Sequence, residues 1–178
     1  WHPDAVADAL ADLAESDILT CEAGAEEAGR RRIYLKGLHD AETNVAGRMG
    51  ALLALSAEAL PAPAGDLIEQ VQAALAGGLT DDQRRALEGV LENRVAIITG
   101  GPGTGKTTLI QAVFALFRRM GSRICLAAPT GRAARRLSEV TGRPAHTIHK
   151  LLAYNFDDHY FGRDADNPIE ADVLIIDE

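Results

Sequence analysis

Three features of the sequence predict an α/β fold built around a parallel sheet. Apolar runs typical of buried strands alternate with helical patterns of apolar residues, as in repeated βα units. A glycine-rich loop separates the first of these runs from the helix that follows it. The last run ends in two acidic residues, at the edge where open α/β sheets place functional groups. The expected strands are residues 95–99, 123–128 and 173–176.

Helices are expected on both sides of the glycine-rich loop and after the second strand. Thr80 is placed to cap a helix whose first turn holds Asp81 and Asp82, because carboxylates there complement the helix dipole. Two further helices are each expected to end at a glycine, residues 107–120 before Gly121 and residues 132–140 before Gly142.

The composition is that of a globular chain with a sizeable core. Of 178 residues, 47% are hydrophobic, and no apolar run approaches the roughly eighteen residues that cross a bilayer. The net charge of −8 argues against a general polyanion binder, although local basic patches decide nucleic-acid binding. The only cysteines, Cys21 and Cys125, favour a reducing, cytoplasmic setting. Because the chain begins at Trp1, we expect a piece of a longer protein.

Composition shifts divide the chain into three expected regions. Residues 1–60 contain a short helix, a hairpin and a helix ending near residue 60, which together form a small α+β accessory region. Residues 61–78 begin with a Pro-Ala-Pro-Ala-Gly stretch and are expected to form a linker with a short helix. Residues 79–178 form the α/β domain. An aromatic stretch in this domain is expected to pack as a small hairpin and comprises Tyr154, Phe156, Tyr160 and Phe161.

The glycine-rich loop, residues 100–107, reads GGPGTGKT and satisfies the phosphate-loop pattern. Its glycines let backbone N–H groups turn inward around an anion, and the following helix adds the positive end of its dipole. Lys106 is placed to reach the β- and γ-phosphates of ATP, and the Thr107 hydroxyl to ligate Mg²⁺. The alternative is a glycine-rich turn without a ligand. The candidate cofactor residues of the loop are Gly101, Gly103, Thr104, Gly105, Lys106, Thr107 and Thr108.

The acidic pair at the end of the third strand completes a candidate catalytic set with Lys106. Asp177 is expected to bind Mg²⁺ directly or through water, and Glu178 to act as the base that polarises the attacking water. Solvated acids at the end of a strand are the alternative. The phosphate loop upstream favours a P-loop NTPase.

Several blocks together resemble the superfamily 1 helicases, and within them the RecD-like group, over nearly the whole chain. Residues 79–83 are similar to the Q-motif, residues 100–108 to motif I, and residues 128–134 to motif Ia. Residues 147–152 are similar to a block that RecD-like proteins carry between motifs Ia and II, and residues 177–178 to motif II. The resemblance implies a RecA-like parallel sheet, truncated here because a later strand would lie between the loop strand and the motif II strand. The N-terminal region resembles the winged-helix-like part that precedes the motor.

The resemblance also implies an ATP-dependent DNA helicase that moves 5′ to 3′ on single-stranded DNA in recombination and repair. Its partners would be single-stranded DNA, duplex junctions and RecBC-type subunits, and it would be a free helicase or an exodeoxyribonuclease V α subunit. Gln83 would contact adenine, since an amide both donates and accepts. A strand-end turn would bind a nucleic-acid phosphate through Pro129, Thr130, Gly131 and Arg132.

Two other functions remain open at this point. A different P-loop NTPase, such as a kinase or a protein-remodelling ATPase, would share motif I without motif Ia. An ATP-binding scaffold subunit would keep the nucleotide as a structural ligand only. We expect the isolated chain to turn over ATP poorly, because the resemblance implies that hydrolysis also needs motifs III to VI and an arginine finger beyond residue 178. It is also expected to be marginally stable, because an incomplete parallel sheet leaves backbone groups unpaired.

Overall fold

The computed structural model describes residues 2–23, 31–57, 59–75, 77–101 and 103–177, without the side chains of Pro3 and Ala23. The chain divides into two compact units after Leu55. No described helix combines the length and the apolar character needed to cross a membrane.

The first unit is a helix, a hairpin and a longer helix, as the sequence predicts. Its elements are α1 (Pro3–Glu15), β1 (Leu19–Ala23), β2 (Arg31–Leu35) and α2 (Lys36–Ala54). The hairpin is antiparallel and pairs Cys21 with Ile33. Helix α2 ends six residues earlier than expected, because Leu55 has an extended backbone with φ of −81° and ψ of 137°. The residues that follow belong to the second unit, where the Arg94 side chain binds the Ser56 carbonyl at 3.0 Å and Leu60 packs on the core.

The second unit alternates helices with short strands. Its helices are α3 (Ala64–Ala74), α4 (Asp81–Glu92), α5 (Lys106–Arg119), α6 (Gly131–Thr141) and α7 (Ile148–Leu151). Its strands are β3 (Ile124–Ala128), β4 (His146–Thr147), β5 (Tyr154–Asn155), β6 (Tyr160–Phe161) and β7 (Val173–Ile176). Thr80 caps α4, and Gly121 and Gly142 adopt positive φ where α5 and α6 end, so the local signals for these helices are confirmed.

Strands β4, β3 and β7 form a parallel sheet in that order. Ile124 pairs with Val173, Ala127 with Ile176, and Ala128 with Thr147, so the carboxyl ends of all three strands lie at one edge. The expected α/β class with a parallel sheet is confirmed. Strands β5 and β6 form a separate antiparallel hairpin, in which the Tyr154 ring packs against Phe156 and Phe161 with centroids 5.0 and 4.8 Å apart.

The predicted first strand, residues 95–99, is wrong. The segment forms no ladder with any strand that the structure describes, and the Ile97 side chain is 85% exposed. A strand exists only through a partner, and the RecA-like order would place another strand between this segment and β7. Without that partner the apolar run stays unpaired.

The core of the second unit is built on α5, which buries residues on two sides. One side packs against α3 and α4, and this cluster comprises Leu67, Ile68, Val71, Leu87, Leu91, Leu109, Ala112, Val113 and Leu116. The other side meets β3 and α6 through Phe114, Leu126 and Leu137. Helix α3, which lies in the region expected as a linker, is therefore part of this core. Packing on both sides holds the first turn of α5, where the phosphate loop ends.

Candidate functional site

Three glycines shape the loop before α5, because a side chain at Gly100, Gly103 or Gly105 would cause strain or a clash. Gly103 and Gly105 have φ of +75° and +83°, in the left-handed region that disfavours side chains. A Cβ on Gly100 would lie 2.6 Å from Thr104 Oγ1, closer than atoms of side chains can approach. The Thr104 hydroxyl donates to the Gly101 carbonyl at 2.9 Å and closes the turn. Gly100, Gly101 and Gly103 are exposed, so solvent reaches the backbone of the loop.

Lys106 lies over this exposed backbone. Its ammonium donates to the carbonyl oxygens of Gly100 and Gly101, the latter at 3.1 Å, and the side chain is exposed to solvent. An ammonium held on the loop has a positive charge beside the start of α5, where the dipole is also positive. The two together attract an anion to the loop.

Thr107 and Thr108 lie in the first turn of α5 and are partly buried. The next residue, Leu109, is buried in the core and holds the start of the helix. Among the described residues, no hydrogen bond joins the Thr107 hydroxyl to Asp177. The structure thus positions the threonines at the helix end that faces the loop, without a direct link to the acidic strand end.

Gln83 connects α4 to the phosphate loop. Its amide oxygen accepts from the Thr80 N–H at 3.0 Å, and its amide nitrogen donates to the Gly105 carbonyl at 3.3 Å. The Thr80 hydroxyl in turn accepts from the Gln83 N–H at 3.3 Å, which completes a capping box. The side chain is only 9% exposed. Both ends of the amide that was predicted to contact adenine are therefore bonded to the protein.

Asp177 follows β7 directly and lies at the carboxyl edge of the sheet. Its N–H continues the ladder by donating to the Ala127 carbonyl at 3.1 Å, and its side chain is partly buried. Glu178, predicted as the catalytic base, lies outside the described residues. Within residues 2–177, where the structure describes them, no three His, Cys, Asp or Glu side chains cluster as metal ligands. A metal at this edge would depend on a carboxylate, a hydroxyl and phosphate oxygens.

The neighbouring strands deliver two capping threonines to the same edge. Thr130 follows β3 and its hydroxyl accepts from the Ala133 N–H at 3.2 Å, which starts α6. Thr147 ends β4 opposite Ala128 of β3 and caps α7 by accepting from the Lys150 N–H at 3.2 Å. Thr147 was not predicted as an edge residue, because only the pairing of β4 with β3 reveals its position.

The candidate nucleic-acid residues lie on the surface at the start of α6. Pro129, Thr130, Gly131 and Arg132 are all exposed. Arg132 shares an exposed face of α6 with Arg135 and Arg136, and none of the three forms an ion pair with a residue that the structure describes. Their charges are available to an anionic partner.

The opposite edge of the sheet has an exposed ion pair that the sequence did not predict. Asp172, before β7, accepts from the Arg123 N–H at 2.7 Å and from its guanidinium Nη2 at 2.8 Å. These bonds lower the pKa of the Asp172 carboxyl from 3.8 to about 2. The pair ties the starts of β3 and β7 together, 49 residues apart in sequence.

Comparison with known proteins agrees with this arrangement of loop, helix and strand edge. Residues 83–178, more than half of the chain, match the family described as AAA domain. The chain belongs to the AAA domain family. Its match begins at Gln83, the residue that contacts the loop, and ends with the acidic pair.

The chain is also similar to individual named proteins. It is 40% identical over 170 residues to the ATP-dependent RecD2 DNA helicase of Deinococcus radiodurans, covering 95% of the chain and 23% of that protein. It is 37% identical over 121 residues to the RecBCD enzyme subunit RecD of Mycobacterium tuberculosis, covering 55% and 21%. For the RecD subunit of Haemophilus influenzae the identity is 33% over 123 residues, covering 56% and 19%.

The predicted resemblance to RecD-like helicases is confirmed by these matches. The chain spans less than a quarter of the length of these curated relatives.

Proposed function

We propose that this chain carries the ATP-binding part of a DNA helicase that couples ATP hydrolysis to movement along single-stranded DNA in recombination and repair. One observation carries the proposal, namely the glycine loop with Lys106 over its carbonyls at the start of a buried helix. Relatives named as DNA helicases support the extension from nucleotide binding to a DNA motor. By the same resemblance, movement is proposed to run 5′ to 3′.

The loop residues Gly101, Gly103 and Gly105 would hold the phosphates of ATP through backbone N–H groups, with Thr104 closing the turn. Lys106 would exchange its carbonyl partners for β- and γ-phosphate oxygens, because a phosphate is a stronger acceptor than a neutral carbonyl. Thr107 and Thr108 follow in the first helical turn.

The residues present fit Mg²⁺ in their chemistry, since a hydroxyl and a carboxylate are the hard oxygen ligands this ion prefers. Thr107 and Asp177 would hold it. When bound, Mg²⁺ neutralises the charge that develops on the β- and γ-phosphates. Glu178 would accept a proton from the attacking water.

The strand-end turn and α6 would bind the DNA backbone. The Thr130 hydroxyl accepts one hydrogen bond as a cap, so its proton remains for a phosphate oxygen. Pro129 and Gly131 keep the turn free of bulky side chains, and Arg132 adds a charge. These contacts would position the strand without reading its sequence.

The extent of the matches favours a RecD2-like helicase over a subunit of a RecBCD-type complex. The similarity to the RecD2 helicase covers 95% of the chain and so includes both units, whereas the RecD subunits match little more than half. Single-stranded DNA and duplex junctions are the proposed partners. RecBC-type subunits are the less favoured ones.

ATP hydrolysis by the full-length protein tests the proposal. We expect single-stranded DNA to stimulate hydrolysis, and Lys106→Ala to reduce the stimulated rate by at least about a hundredfold, because the substitution removes a charge that acts on the transition state. Lys36→Ala is the control, since this lysine bonds Asp40 in the first unit and its loss should leave the rate unchanged.

Hydrolysis that ignores DNA would instead indicate another kind of P-loop NTPase. Wild-type motor activity after Lys106→Ala would contradict the role of the loop altogether and favour nucleotide as a structural ligand.

A further inference from the structure

Gln83 stands out because, of the buried residues that the structure describes, it alone is polar. A buried amide is costly unless its groups are hydrogen bonded. The capping box needs only the amide oxygen, so it explains half of the side chain. The other half, the amide nitrogen, reaches 22 residues along the chain to the phosphate loop.

The acceptor of this bond is the Gly105 carbonyl, which also accepts the first helical bond of α5 from the Leu109 N–H at 3.0 Å. A Cβ on Gly105 would lie 2.5 Å from the Gln83 amide nitrogen, so the contact exists only because this residue is glycine. The carbonyl is thus held by one donor from its own helix and one from α4.

The direction of this carbonyl determines the direction of a loop N–H. The Gly105 C=O and the Lys106 N–H belong to one peptide group, and in a trans peptide the two point in opposite directions. No cis peptide is present among the described residues. Holding the Gly105 oxygen on the α4 side therefore aims the Lys106 N–H away from α4, at the N-terminal side of the helix where an anion binds.

We propose that Gln83 is a positioning residue for phosphate binding, which holds the Gly105–Lys106 peptide so that the Lys106 N–H is preset to donate to a nucleotide phosphate. The inference rests on the proposed function of the loop. It differs from adenine contact, because the effect passes through the loop backbone and does not require a base.

Inorganic tripolyphosphate, which has phosphates but no base, separates the two roles. The experiment measures the dissociation constants of Mg²⁺ complexes of ATP and of tripolyphosphate by titration calorimetry on the full-length protein. Gln83→Met removes the donor to Gly105 at nearly constant length. Thr80→Ala is the matched control, because it removes the hydroxyl that caps Gln83 N–H but leaves the Gln83 side-chain bonds to Thr80 N–H and Gly105.

We expect Gln83→Met to weaken both ligands by the same factor, about fivefold to tenfold, the size expected for one hydrogen bond. Thr80→Ala should lower the melting temperature but leave both dissociation constants unchanged. If Gln83→Met does not fold, Gln83→Glu replaces it, since the carboxylate still accepts from the Thr80 N–H and cannot donate to Gly105. It should weaken both ligands at least as strongly.

A loss of affinity for ATP alone would mean that Gln83 acts on the base, and would overturn the positioning role. Unchanged affinity for both ligands would overturn it as well. Two other results would contradict the proposed function of the loop, and the positioning role with it. One is that the unmodified protein binds neither ligand, and the other is that Lys106→Ala leaves tripolyphosphate binding intact.

Discussion

At the residue scale, two loop glycines with the same conformation have different surroundings. Gly103 and Gly105 both have positive φ, but a Cβ on Gly103 would meet nothing within 4 Å, whereas one on Gly105 would meet Gln83. A side chain at Gly103 would therefore cause backbone strain alone. A side chain at Gly105 would cause the same strain and would also break the contact with Gln83. The pair separates the two effects within one loop.

Gly103→Ala is expected to lower the free energy of unfolding by about 1–2 kcal/mol, the cost of placing a side chain in the left-handed region. Gly105→Ala should cost about 1 kcal/mol more, because the new methyl displaces the Gln83 amide from its acceptor. Urea denaturation of the two variants measures the difference. In a Gln83→Ala background that difference should disappear, and its persistence would show that the contact has no energetic effect.

At the element scale, the helices could be predicted and one strand could not. Thr80, Gly121 and Gly142 act on the chain within a few residues, so the sequence alone indicates where α4, α5 and α6 begin or end. The prediction of a strand at residues 95–99 was wrong because strand pairing depends on a partner that is distant in sequence. The Gln83 contact was equally hidden, since no local pattern reports a bond to a residue 22 positions away.

The loop itself was predictable because its chemistry is contiguous in sequence. A fixed spacing of Gly100, Gly105 and Lys106 places backbone, charge and helix start together without help from the rest of the fold. The sequence also predicted that the acidic pair after β7 lies at the edge of the sheet, but not which residues lie beside it. That Thr147 lies beside Ala128 at this edge follows from sheet register, which depends on tertiary packing.

The ion pair between Arg123 and Asp172 makes a prediction about pH. Because the pKa of Asp172 is lowered to about 2 from 3.8, its charged form stabilises the fold fully above about pH 4, and this contribution is lost as the pH falls through 2. Asp172→Asn should therefore be less stable than the unmodified chain at pH 6, and the gap should narrow as the pH falls from 4 through 2.

Urea denaturation between pH 2 and 6 measures this gap. Asp166→Asn is the control, because the Asp166 carboxylate has no partner among the described residues and its loss should leave stability unchanged at every pH. A gap for Asp172→Asn that stays constant across this range would contradict the ionic role of the pair.

At the scale of the whole molecule, each unit exposes several large apolar side chains. None of the described residues of the first unit is buried, and Leu38, Val45 and Leu53 are each more than 60% exposed. In the second unit, Ile97 lies on the unpaired segment and Ile176 on the sheet edge, at 85% and 56% exposure. Exposed apolar groups beside unpaired strands favour association between chains.

The 178-residue chain by itself is therefore expected to melt below about 50 °C and to associate as its concentration rises. Ile97→Lys should reduce the association, because it replaces the most exposed of the large apolar side chains that the structure describes with a charge. Ser16→Lys is the control, since it adds the same charge at an exposed polar position and should leave association unchanged. Circular dichroism gives the melting temperature and light scattering gives the size distribution. A monomer that melts cooperatively above about 50 °C would show that the unpaired segment does not limit stability.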